Sequence, residues 1–132
     1  MKLGFVFLCC ILYANAEIQN IPIPNLKKTA NYTLYKNIAL QFSKASSKAK
    51  PKQQGIIANK IANNVLQDSK HVCTMLFYSA IKDLQRQALN IGASKVGNIT
   101  SHLDNNPKPL SKYFPCKIGI FFNTVTLRAD IY

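Results

Sequence analysis

The chain has 132 residues, with 17 Lys and Arg against 5 Asp and Glu, giving a formal net charge of +12. That length fits one domain with one modest core. So few acids leave no paired-carboxylate motif of the kind general acid–base catalysis uses.

The first sixteen residues read as a cleavable leader. Lys2 gives a short positive start, Leu3 to Tyr13 is an uncharged apolar run, and Ala14-Asn15-Ala16 offers small residues to a signal peptidase. The run is shorter than the roughly 20 apolar residues a membrane-spanning helix needs. Phe7 and Leu8 ahead of Cys9 do not fit a lipobox. The predicted mature chain, 17–132, loses Lys2, Cys9 and Cys10 with the leader and keeps a charge of about +11. A periplasmic or secreted location follows.

Ile-Pro-Ile-Pro at 21–24 predicts an extended lead-in, because proline pushes the residue before it out of helical geometry. Ile38, Leu40 and Phe42 alternate with Ala39 and Gln41, the period-two signal of a half-buried strand. Lys44 to Gln54 carries Lys44, Lys48, Lys50 and Lys52 without apolar anchors and reads as a basic loop. Gly55 to Leu66 is ambiguous. Its isoleucines and Val65 suggest a short helix, which Asn59, Asn63 and Asn64 weaken.

Asp68 or Ser69 predicts an N-cap. From there Cys73, Phe77, Ala80, Ile81, Leu84, Ala88 and Ile91 recur at three- and four-residue steps, predicting an amphipathic helix of about six turns. Gly92 predicts its end. Lys95 to Ser101 reads as a strand, and Asp104-Asn105-Asn106-Pro107 with Pro109 as a turn cluster. From Cys116 to Ile131 the apolar set changes parity, which predicts either a bulge near Asn123 or a hairpin at Asn123-Thr124. The strands flanking the Asp104–Lys112 loop could be antiparallel neighbours. The expected fold is α+β: one long amphipathic helix packed on a small, mainly antiparallel sheet, in two layers.

Two cysteines remain in the mature chain, Cys73 and Cys116. An isolated pair in a small exported domain reads as one disulfide. Cys73 shares the helix stripe with Phe77 and Leu84, and Cys116 shares a strand face with Ile118 and Ile120, so both sulfurs should point between the layers.

The pattern Cys73, Ala80, Leu84-Gln85, Ala88, Gly92-Ala93, Val96, Ile99, Ser101, then Tyr113, Cys116, Gly119, Val125 and Leu127 resembles a family of small exported proteobacterial proteins. These commonly carry the label "excinuclease ATPase subunit". Upstream, Ile38 to Phe42 and Asn59 to Val65 are similar to the family's first strand and Asn-rich segment. The helix–Gly-Ala–strand turn is also similar, at the level of fold, to YbjQ-type domains and an exported Rcs stress-sensor domain. Lys117 stands where a His is common in the family, and His102-Leu103 where aromatics are common.

An ATPase would need a Gly-rich loop ending in Gly-Lys-Ser/Thr to hold phosphates. None of the five glycines lies in such a setting. His71 and His102 read as surface residues rather than catalysts, and the Cys and His spacing matches no zinc module. No catalytic residue, metal or cofactor is therefore expected.

The basic surplus is the functional signal. Lys44, Lys48, Lys50 and Lys52 form one cluster, Lys27 and Lys28 a second, and Lys108, Lys112 and Lys117 a third. Such a surface concentrates anionic partners: polymers, anionic lipid, lipopolysaccharide or extracellular DNA. Lysine-rich clusters favour loose electrostatic contact over forked phosphate recognition, and no base-stacking platform is evident. The expectation is a non-catalytic exported binding protein. Its rivals are a structural or stress-related envelope protein whose charge only solubilises it, and an enzyme of unrecognised type. Asn31-Tyr32-Thr33 and Asn98-Ile99-Thr100 also match the N-glycosylation sequon.

Overall fold

The structure is a computed structural model and describes residues 17–26, 34–42 and 49–132. The predicted leader lies outside the described residues, as do Lys27, Lys28, Lys44 and Lys48.

One helix, α1 (Ser69–Asn90), packs on a sheet of seven strands. The strands are β1 (Glu17–Pro22), β2 (Ala39–Phe42), β3 (Gln53–Asn63), β4 (Lys95–Ser101), β5 (Lys108–Pro109), β6 (Tyr113–Ile118) and β7 (Phe122–Ile131). The sheet curls into a half-barrel. The fold is α+β as expected, but the expected mainly antiparallel sheet is corrected to a mixed one. β2 runs parallel to β4, with Ala39 opposite Lys95 and Leu40 opposite Val96. A parallel pairing needs a long crossover, and β3 and α1 supply it.

The helix follows its sequence pattern except at Ile91, which lies just past its end and is exposed. Cys73, Phe77, Ala80, Ile81, Leu84 and Ala88 are fully buried against the sheet. Asp68 occupies the N-cap position, but its side chain makes no capping bond. The C-terminus is better satisfied. Gly92 takes a left-handed φ of +71°, its N–H donates to Leu89 O at 3.1 Å, and Ala93 N–H donates to Ala88 O at 2.9 Å. This Schellman arrangement uses carbonyls the helix would leave orphaned.

Three expectations are corrected downstream and upstream of the helix. Residues 53–63 form a strand, not a short helix. Ile56 and Ala58 point into the core while Ile57, Asn59, Ile61 and Asn63 point out. Gln53 and Gln54, read as loop, belong to β3. The parity change near Asn123 comes from a tight hairpin between β6 and β7 across 119–121, where Gly119 N–H donates to Phe122 O at 2.9 Å. It is neither a bulge nor a turn at Asn123-Thr124. Asn123 is instead buried: its Nδ2 donates to Ser69 O at 3.1 Å and its Oδ1 accepts from Asn64 Nδ2 at 2.7 Å.

The lead-in at 17–22 is a full strand, β1, paired antiparallel with β6 from Glu17 opposite Ile118 to Pro22 opposite Tyr113. Pro22, at its end, fits a strand that pairs on one side. Between the layers Cys73 and Cys116 form a disulfide with Cα atoms 6.0 Å apart, and both residues are fully buried. Beside it the Phe77 and Phe114 rings stack with centroids 4.4 Å apart. No helix among the described residues is long and apolar enough to cross a membrane.

Candidate functional site

The strands flanking the Asp104–Lys112 loop, β4 and β6, are not paired with each other. β3 lines one edge of β7 along nearly its whole length, from Asn63 opposite Phe122 to Gln53 opposite Ile131. The other edge is shared. β6 takes the hairpin end, with Lys117 opposite Thr124, and β4 takes over from Leu127, opposite Ser101. The two strands diverge there, and the sheet forks.

The chain closes the fork with one backbone bond, His102 N–H to Thr126 O at 2.9 Å. It then turns through a short helical segment, Leu103–Asn105. Leu103 is buried and anchors this turn. Asp104 and Asn105 both adopt left-handed backbone, with φ of 53° and 59°. Asp and Asn tolerate that region better than other non-glycine residues, though it still costs energy. The turn delivers the Asp104 carboxylate to the Lys117 ammonium, 3.1 Å away.

The result is a groove of about 480 Å³, within the range of small-ligand sites. It lies on the sheet face away from α1, because Thr124 and Thr126 alternate with the buried Val125 and Leu127. Thr124, Thr126, Asn59 and Ile57 form its floor and far wall, and His102, Asp104 and Lys117 its near wall. Thr126 Oγ1 donates to Asn59 Oδ1 at 2.6 Å. The Nδ1 of His102 is shielded from solvent and has no hydrogen-bond partner. An unsatisfied buried polar atom of this kind typically costs about 1–3 kcal/mol; the Oε1 of Gln41, outside the groove, is the other such atom among the described residues.

Beyond the groove the outward face of β7 continues through Arg128 and Asp130 to Tyr132, just past the strand's end. The Arg128 guanidinium passes over Gly55, where a Cβ would meet its Nη2 at 2.9 Å. Asp130 accepts from Gly55 N–H at 2.9 Å and from Asn98 Nδ2 at 3.2 Å. The Lys95 ammonium lies 5.4 Å from the centre of the Tyr132 ring. Lys36, Lys50 and Lys52 precede the starts of β2 and β3 at this same end of the sheet, and Lys95 starts β4 there. Lys50 and Lys52 are both exposed, and Lys52 Nζ donates to Gly92 O at 3.1 Å, just past the helix C-terminus. There its charge also suits the helix dipole.

Of the residues singled out in sequence, Lys117 therefore belongs to the groove, and Lys50 and Lys52 to the basic end. Lys108 and Lys112 lie apart, in β5 and just before β6. His71 is exposed on the first turn of α1. The sequence does not show His102, Asp104, Asn59, Thr124 and Thr126 as a group, since only the fork brings them together. Among the described residues no cluster of three or more His, Cys, Asp or Glu could hold a metal ion. No protein-family model, curated protein or solved structure shows significant similarity to the chain.

Proposed function

We propose that this is an exported, non-catalytic binding protein whose basic surface engages anionic polymers. The observation that carries this reading is how four of the five acids are used. Asp83 pairs with Lys60 at 3.7 Å and with Arg86, and Asp104 pairs with Lys117. Asp130 is held by a backbone N–H and an asparagine, and Glu17 accepts from Gln19 at 2.8 Å. Among the described residues only three cations, Lys60, Arg86 and Lys117, enter ion pairs. The basic end of the sheet, with Lys36, Lys50, Lys52 and Lys95, forms none of these pairs. A field of one sign over such an area attracts polyanions from a distance of about a Debye length, roughly 8 Å at physiological salt. The buried disulfide is what an oxidising compartment would preserve, which supports export.

Heparin binding measured against salt concentration tests the reading. The intact protein should bind with an affinity that falls steeply as salt rises. Replacing Lys36, Lys50, Lys52 and Lys95 with Gln should weaken binding and flatten that dependence. Unchanged binding in this variant would reduce the charge to a solubilising role.

A further inference from the structure

We propose that the groove at the sheet fork binds one acidic sugar unit of an anionic polysaccharide, whose chain continues along the outer face of β7 towards the basic end. The proposal rests on the polyanion reading above and names the polymer's chemistry. Ring hydroxyls both donate and accept, so a sugar site needs both kinds of partner. The groove has them: the Asp104 carboxylate accepts, as does the Thr126 hydroxyl whose own O–H is given to Asn59, the Lys117 ammonium donates, and the Thr124 hydroxyl does either. Lys117 gives one of its three N–H groups to Asp104 and retains others for a carboxylate, sulfate or phosphate substituent. Ile57, 44% exposed, offers an apolar surface to the C–H face of a sugar ring.

The open hydrogen bond of His102 is the second observation. His102 is among the residues lining this groove, and its Nδ1, shielded from solvent, finds no partner in the protein. The adjoining left-handed pair Asp104-Asn105 holds the carboxylate at Lys117. Backbone strain of this sort persists where surrounding structure enforces it, often around ligands.

The apolar lining argues against nucleic acid. Single-stranded nucleic acids are usually gripped by aromatic rings on which bases stack, whereas Ile57 and Leu103 are aliphatic. The span suits a polymer. From Thr124 in β7 to Tyr132, just past the strand's end, the chain rises about 27 Å at roughly 3.4 Å per residue. Arg128 lies midway, and its fork of donors matches carboxylate or sulfate.

The test compares two probes by calorimetric titration of the purified protein: a heparin-derived hexasaccharide and a single-stranded oligodeoxynucleotide of matched charge. Asn59→Ala and Lys117→Gln should each weaken hexasaccharide binding at least fivefold and leave oligonucleotide binding within about twofold. The four-lysine variant of the basic end should weaken both. In the unaltered protein, the hexasaccharide should shift the NMR signals of the His102 ring and of the Thr124 and Thr126 amides, a readout independent of any variant's folding. Groove variants that change neither probe, or both equally, would overturn the sugar site while leaving the polyanion reading intact. Shifts confined to the basic end would do the same. Equal binding of an uncharged hexasaccharide would overturn the requirement for an acidic unit. If neither charged probe binds the unaltered protein, the polyanion reading fails and the sugar site with it.

Discussion

Gln85 and Tyr35 exchange a pair of hydrogen bonds across 50 residues of sequence. Tyr35 N–H donates to Gln85 Oε1 at 2.9 Å, and Gln85 Nε2 donates back to Tyr35 O at 3.0 Å. The same Nε2 donates to Ile38 O at 2.9 Å, and the Gln85 side chain is buried. One side chain of α1 thus satisfies three backbone groups on the approach to β2. Replacing Gln85 with Leu keeps the size but removes the partner of Tyr35 N–H and the Gln85 bond to Ile38 O, while Tyr35 O keeps its bond from Ile38 N–H at 3.3 Å. The replacement should cost about 2–3 kcal/mol, lowering the melting temperature by roughly 10 °C. Thermal denaturation followed by circular dichroism checks this; a shift under about 2 °C would mean that water replaces the side chain without penalty.

The disulfide closes a loop with a sequence separation of 43. The chain-entropy estimate for such a loop is about 4 kcal/mol, an upper figure because residual structure in the unfolded chain reduces it. The double replacement Cys73→Ser with Cys116→Ser should therefore lower stability by several kcal/mol in urea denaturation. Below its melting temperature the variant should still bind heparin, since the lysines of the basic end lie elsewhere. A non-reducing peptide map of the protein purified without reductant should show the bond, and two free thiols there would refute it.

Gly92 separates two effects that a substitution usually mixes. A Cβ there would meet nothing within 4 Å, yet φ is +71°. Gly92→Ala should therefore cost about 1 kcal/mol from backbone conformation alone, and Gly92→Asn less, because Asn tolerates the left-handed region. Chemical denaturation of the two variants measures the difference. Equal costs would show that the helix end relaxes out of the Schellman arrangement.

The lysines of the loop before β3 should behave oppositely to these three sites. Replacing Lys50 and Lys52 with Gln should change stability by under about 0.5 kcal/mol, as surface changes usually do. The Lys52 bond to Gly92 O is exposed and adds little. For every phosphate that one of these ammonium groups neutralises, its removal should flatten the logarithmic salt dependence of duplex DNA binding by about 0.9. An unchanged slope would remove these two lysines from the binding surface.

The local elements were legible where one residue face tells the story. The spacing from Cys73 to Ala88 defined α1, Gly92 its end, and Lys95–Ser101 coincides with β4. β3 was not legible as a strand because Ile57 and Ile61 put isoleucines on its outer face beside the inward Ile56 and Ala58, which hides the alternation. Asn123 resembles a turn residue until its partners, Asn64 and Ser69, are known. The fork depends on β7 pairing with β3, β4 and β6, contacts remote in sequence that no local pattern encodes. The groove inherits that non-locality, whereas the basic surplus is a property of composition and was plain from the start.

The pairing of β6 has an implication for how the molecule comes apart. β6 meets β1 over six residue pairs but β7 over only two, Lys117 with Thr124 and Ile118 with Asn123. The β1–β6 ribbon is thus a two-stranded flap with a narrow seam to the rest of the sheet. Cys116 sits beside that seam and ties the flap to α1 through Cys73, while Phe114 leans on Phe77. Native proteins open in cooperative pieces whose energies reflect how firmly each is attached. With the bond intact, the β1 and β6 amides should exchange hydrogen at rates near those of β3 and β7. Once it is reduced, the flap should become the first unit to peel away, carrying Lys117 from Asp104 before the rest of the domain loosens.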